Sequence, residues 1–202
     1  INIRRGFLNT VCAISTSIGR AGLGIVRMTG DESYEILNKV FSNSENIENR
    51  KLTYGHIKEN ETIIDEVLVA YMKAPHTYTR EDVVEIYCHG GVVAVRAVLQ
   101  ALLNNGAMIA EPGEFTKRAF LNGRLDLSEA EAVLDLIDSN TSLSYENSLS
   151  QLSGSLSTKI EDIKSELMNV MASTITEIDF PEDENDTLSD SEKVELLAPV
   201  LS

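Results

Sequence analysis

Residues 110–139 read AEPGEFTKRAFLNGRLDLSEAEAVLDLIDS, and this stretch decides how the 202-residue chain divides. Its second half has the 3.6-residue apolar period of an amphipathic helix. Ser128 with Glu131 three residues later fits a capping box, in which each side chain satisfies a backbone N–H that the first turn would leave unpaired, so a helix is predicted from Ser128 to about Asn140. The first half is different: Lys117, Arg118 and Arg124 crowd around Phe115, Phe120 and two glycines.

Upstream, from Thr10 to about Gly113, short apolar strands alternate with helical stretches. TVCAIST and GIVRMTG read as strands joined by the loop SIGRAGL. DESYEILNKVF follows as a helix with Ile36, Leu37, Val40 and Phe41 on one face. LTYGHIKEN and TIIDEVLVAYMKA read as a hairpin about Asn60 and Glu61, EDVVEIYCHGG as a further strand, and VVAVRAVLQALLNNG as a buried helix stopped at Gly106. MIAEPG returns the chain to the sheet.

Downstream, Leu149, Leu152, Leu156, Ile160, Ile163, Leu167 and Val170 predict one long helix with an apolar stripe and a weak point at Gly154. FPEDEND, with Pro181, breaks it, and SDSEKVELLAPVLS starts another helical segment that stops near Pro199. Such arms are unstable alone, so the segment is expected to pack as an incomplete bundle or against another subunit. The class predicted is α+β, a mixed α/β domain followed by helices. The expected boundaries are an extension over 1–9, a first domain over 10–118, and the first part of a helical domain over 119–202, with the chain cut before a further domain.

Composition supports a globular protein: 43% hydrophobic, 24% charged, no Trp. No apolar run approaches the ~20 residues of a membrane span and no signal pattern opens the chain, so a cytoplasmic location without a membrane partner is expected. Cys12 and Cys88 lie far apart without CxxC or His spacing, which argues against zinc or redox chemistry, and no metal site is predicted. The net charge is −15, of which −10 falls in residues 140–202, so the overall field does not attract a phosphate backbone.

Three residues stand out as candidates for binding. Arg27, in GLGIVRMTG, alternates onto the face of Ile25 and Thr29, and spacing alone fits either a half-exposed surface arginine or a cation for an anionic ligand group. Glu85 shares a face with Val83 and Tyr87, and fits either an outward acid or an acceptor for a planar donor edge. Arg124 belongs with Lys117 and Arg118 to a cationic group that is either a solvated face or a partner for a defined ligand. His89, before Gly90 and Gly91, fits an acid or base as well as a plain turn. GRAGLG lacks the GxGxxG spacing and precedes a strand, so it is no dinucleotide fingerprint.

GLGIVR, YTREDVVEIYCHGG, PGEFTKRAFLNGRLDLSEAEAVLDLI and IDFPEDE, in this order, resemble the N-terminal half of the MnmE/TrmE tRNA-modification GTPase family. The resemblance implies a folate-binding-like α/β domain that dimerises, then a helical domain into which a Ras-like G domain is inserted. It implies a homodimer that works with a flavoprotein partner (MnmG/GidA) on C5 of the wobble uridine of tRNA. A tetrahydrofolate derivative, 5-formyl or 5,10-methylene, would supply the one-carbon unit. Matched residue by residue, the folate-contacting positions fall on Arg27, Glu85 and Arg124, the last where relatives often have Lys. Glu85 is expected on the pterin and the arginines on the polar or anionic parts.

The sequence departs from the family at Arg80, where Gly is usual in YTGED, at Glu111, where Arg is common, and at Arg20 and Ala21 in the glycine loop. No GxxxxGK[ST] occurs, so GTP, magnesium and potassium belong to a G domain outside this chain, which is not expected to hydrolyse GTP or to hold a catalytic residue. The alternatives are an assembly module with a vestigial pocket and a free-standing folate-dependent aminomethyltransferase.

Overall fold

The computed structural model describes residues 9–179 and 189–197. The opening INIRRGF, the FPEDEND break and Pro199 lie outside the described residues. The chain forms two compact units, 1–125 and 126–202.

The first unit is built on a six-stranded sheet of order β3-β4-β5-β2-β1-β6. Its strands are β1 Val11–Ile14, β2 Gly24–Thr29, β3 Leu52–Glu59, β4 Thr62–Met72, β5 Val83–Cys88 and β6 Met108–Ile109. All pairings are antiparallel except β1 with β6. The β3–β4 hairpin turns at Asn60 and Glu61, as expected, with φ of 46° and 66°, the double left-handed geometry that matches strand twist.

Period-2 alternation sends Val26, Met28, Val84 and Ile86 to one face, where all four are fully buried. There they meet α1 (Ser33–Val40) through Ile36, Leu37 and Val40, and α2 (Val92–Asn104) through Val98, Ala101 and Leu102. Gly90 explains the pairing of the two glycine motifs: a Cβ at this position would sit 2.5 Å from the Ala21 carbonyl oxygen and 2.7 Å from that of Leu23, so only glycine lets the SIGRAGL loop lie on the end of β5. A last helix of the unit, α3, spans Glu114–Leu121.

The second unit is helical: α4 Leu127–Asp138, α5 Ser142–Leu152, α6 Ser155–Asp179 and α7 Asp190–Leu197. Two expectations are corrected here. The capping box is Asp126 with Glu129, two residues before the predicted Ser128 and Glu131. The Asp126 carboxylate accepts from the Glu129 backbone N–H at 2.8 Å, the Glu129 carboxylate accepts from that of Asp126 at 2.8 Å, and Ser128 is left inside the helix donating to Asp126. The single long helix is two, because Gly154 adopts φ +81° and ends α5 before α6 begins. The predicted stripe remains, with Leu149, Leu156, Ile160, Ile163 and Leu167 exposed on it.

Asp126→Ala removes the carboxylate that accepts from the Glu129 backbone N–H, the capping half of the box, and is expected to cost about 1 kcal/mol. Urea denaturation followed by far-UV circular dichroism checks this against Ser128→Ala, which leaves the capping box intact and should cost less.

Candidate functional site

The sheet's other face carries the candidate residues. Strand register lays a row of Tyr54, Leu68, Tyr87 and Ile25 across β3, β4, β5 and β2. The next row is Leu52, Ala70, Glu85, Arg27 and Ala13. Arg27 and Glu85, 58 residues apart in sequence, are thus direct cross-strand partners, flanked on both sides by alanines that leave room above them.

The pair is closely made. Glu85 Oε1 accepts from Arg27 Nε at 2.9 Å and lies 2.7 Å from Arg27 Nη2, while Oε2 accepts from the Tyr87 hydroxyl at 2.6 Å. That bond to Glu85, followed by burial, pushes the Tyr87 phenol up to about 12, so at neutral pH Tyr87 remains a donor. Each carboxylate oxygen has two acceptor sites. Arg27 fills those of Oε1, and Oε2 keeps one for an incoming N–H. The side chains are 34% and 16% exposed, which puts the pair in the range where an ion pair contributes about 0–1 kcal/mol. Fold stability therefore does not require it.

Arg27 also places its guanidinium 5.9 Å from the centroid of Phe115, in the first turn of α3. The next residue, Thr116, shares a 2.9 Å hydrogen bond with the Tyr78 hydroxyl, and the Tyr78 ring carries Arg124 at 4.7 Å. Arg124 Nη1 donates to the Tyr78 carbonyl at 3.3 Å. Among the described residues no contact joins Arg124 to Arg27 or Glu85. A chain of contacts links them, from Arg27 to Phe115, from the adjacent Thr116 to the Tyr78 hydroxyl, and from the Tyr78 ring to Arg124. Tyr87 was legible as the residue two beyond Glu85 on the same strand face; Tyr78 and Thr116 had no periodic signal of their own.

The other cations differ. Arg118 is 1% exposed and is an anchor, not part of a solvated face: Nη1 binds Glu81 at 3.0 Å and Nη2 binds Glu114 at 2.7 Å. Glu81 also accepts from Thr29, and Asn122 donates to the Thr79 carbonyl at 2.6 Å, so α3 is tied to the 77–82 loop. Lys117 is exposed. His89 Nδ1 lies 2.7 Å from Asp65, which raises its pKa, and Asp65 also accepts the His89 backbone N–H; the pair shapes the exit from β5.

A cavity of about 220 Å³ borders the row, lined by Leu23, Tyr54, Glu66, Leu68, Tyr87 and His89 among others. A larger one of about 510 Å³, between α4 and α5, is lined by Asp135, Asp138 and neutral residues and has neither cation nor ring. Among the described residues no cluster of His, Cys, Asp and Glu could hold a metal ion, and no helix is long and apolar enough to cross a membrane.

A mixed sheet with a polar, aromatic-floored face, followed by a helical domain, defines the class. The family model described as GTP-binding protein TrmE N-terminus matches residues 10–124, and that of the MnmE helical domain matches 127–201. The chain belongs to the MnmE/TrmE family. It is 54% identical over 184 residues to the tRNA modification GTPase MnmE of Finegoldia magna, covering 90% of this chain and 41% of that protein. Over 176 residues it is 51% identical to the protein of the same name from Streptococcus thermophilus, covering 86% and 39%. The chain spans about two fifths of the length of the curated relatives it matches.

Removing one partner from a buried ion cluster leaves uncompensated charge, so Arg118→Met is expected to lose about 3–5 kcal/mol in urea denaturation. Burial opposes it, but hydrogen bonds from Arg118 and the Glu111 backbone hold the Glu114 carboxyl below its ordinary pKa. Its contribution is therefore complete above the ordinary value and is lost as pH falls through the depressed one. The wild-type urea midpoint should drop in that acid range, and Glu114→Gln should flatten the drop.

Proposed function

We propose that this chain is the folate-binding and dimerising part of a tRNA-modifying GTPase acting at C5 of the wobble uridine, with the flavoprotein MnmG/GidA as partner and GTP, magnesium and potassium handled by a G domain beyond this chain. The observation that carries the reading is the Arg27–Glu85–Tyr87 cluster on an open sheet face beside Phe115. Its residues fit a reduced folate. Glu85 Oε2 retains an acceptor site for an N–H of the pterin edge, Phe115 offers a ring face, and Arg124 offers charge to the ligand's anionic part.

When bound, the folate supplies the one-carbon unit. The chain's own contribution is to hold and orient it: Arg27 fixes the carboxylate's plane, and Tyr87 remains protonated to keep Oε2 in place. The dimer part of the reading is supported by Leu52, Tyr54 and Leu68, which are exposed on the same open face.

Isothermal calorimetry of this chain with 5-formyltetrahydrofolate should give saturable binding. Glu85→Ala should weaken it by at least about tenfold, the range for losing a hydrogen bond to a charged acceptor. Wild-type protein giving no heat at millimolar ligand would contradict the reading. For the dimer, Leu68→Glu should shift the sedimenting species from twice the chain mass to the monomer, and an unchanged sedimentation coefficient would remove that surface from consideration.

A further inference from the structure

Arg80 adopts φ 58°, a left-handed conformation that strains any residue with a Cβ. Gly is the residue that the family resemblance leads one to expect here, and it would meet the same backbone demand without strain. What arginine adds is its guanidinium. Strained residues of this kind concentrate where a ligand is held.

The guanidinium goes to a defined place. Arg80 Nη1 donates to the Asn122 carbonyl at 3.1 Å and lies 3.6 Å from where a Cβ on Gly123 would stand. Arg124 makes the reciprocal bond to the Tyr78 carbonyl. Segments 78–80 and 122–124 thus each send a guanidinium across to the other's backbone, with the Asn122 amide joined to the Thr79 carbonyl between them. Both arginines are exposed, and among the described residues neither is ion-paired with a carboxylate.

We infer that Arg80, beside the Arg124 that meets the first glutamate of a folate, forms a subsite for carboxylates beyond it, so that the site prefers a γ-linked polyglutamyl tail. The inference rests on the folate reading above and extends it to a residue that the family resemblance does not place in the pocket. The surface has the right polarity: a carboxylate acceptor at Glu85 for the pterin end, rings at Phe115 and Tyr78 between, and two guanidinium groups at the far end. A nucleic-acid backbone is a poorer occupant, because a chain of net charge −15 repels extended phosphates, while a short tail meets only the local cations.

Calorimetry with the mono- and triglutamate forms of 5-formyltetrahydrofolate tests this. The wild-type chain should bind the triglutamate about three- to fivefold more tightly, the range that exposed ion pairs supply, and less so at high salt. Arg80→Gly, which relieves the backbone, and Arg80→Gln, which keeps a donor for the Asn122 carbonyl but removes the charge, should both bring the ratio close to one. Equal wild-type affinities, or a preference that survives both substitutions, would overturn the inference while leaving the folate reading intact. Failure of both ligands to bind would overturn that reading and the inference with it. Equal affinities together with binding of an anticodon stem-loop RNA that Arg80→Gln abolishes would overturn the inference in favour of a phosphate contact.

Discussion

The antiparallel register that sets Arg27 opposite Glu85 is the constraint on which the site depends. It is enforced from the other side of the sheet. Val26, Met28, Val84 and Ile86 are all fully buried against α1 and α2, and a slip of one residue would turn Arg27 or Glu85 toward the core in their place. Hydrophobic burial therefore positions the charges, and the charges need contribute little to stability. The pair is preorganised at the expense of the core's packing energy, which leaves its own geometry available for a ligand.

The arginines in and beside the site divide by burial. Arg118, at 1% exposure with two carboxylates around it, ties α3 to the 77–82 loop, and its loss would unbalance a desolvated cluster. Arg27 and Arg124 lie nearer the solvent, each associated with an aromatic ring, where an ion pair or cation–π contact is worth about 1 kcal/mol or less. One group holds the scaffold that presents the other. Tyr78 is the joint between them, since it sits in the loop that Arg118 anchors and its ring and carbonyl both meet Arg124.

Much of this was legible in the sequence. Apolar alternation located the five longer strands and with them the hairpin about Asn60 and Glu61, whose left-handed turn the structure adds. The two misplacements share a cause: a local signal was read without its competitor. Ser128 is a good cap, but Asp126 two residues earlier offers a charged acceptor to the same turn, and it prevails. The apolar stripe ran through Gly154 without interruption, yet the backbone there turns left-handed and the helix ends. Arg27, Glu85 and Arg124 stood out in the sequence, but only the family resemblance favoured the binding reading, because strand spacing cannot distinguish a surface charge from a partnered one. Their pairing needed the β2–β5 register, which no local pattern encodes. Arg118 was hidden for the same reason: its two partners are Glu114, one turn away, and Glu81, which is 37 residues distant.

A crystal structure of this chain grown with a reduced folate addresses the site itself. The pteridine is predicted to lie on the open sheet face, with an N–H of its edge on Glu85 Oε2, Phe115 beneath the ligand and its glutamate directed toward Arg124. Ligand density elsewhere in the molecule, with Glu85 still bonded only to Arg27 and Tyr87, would contradict it.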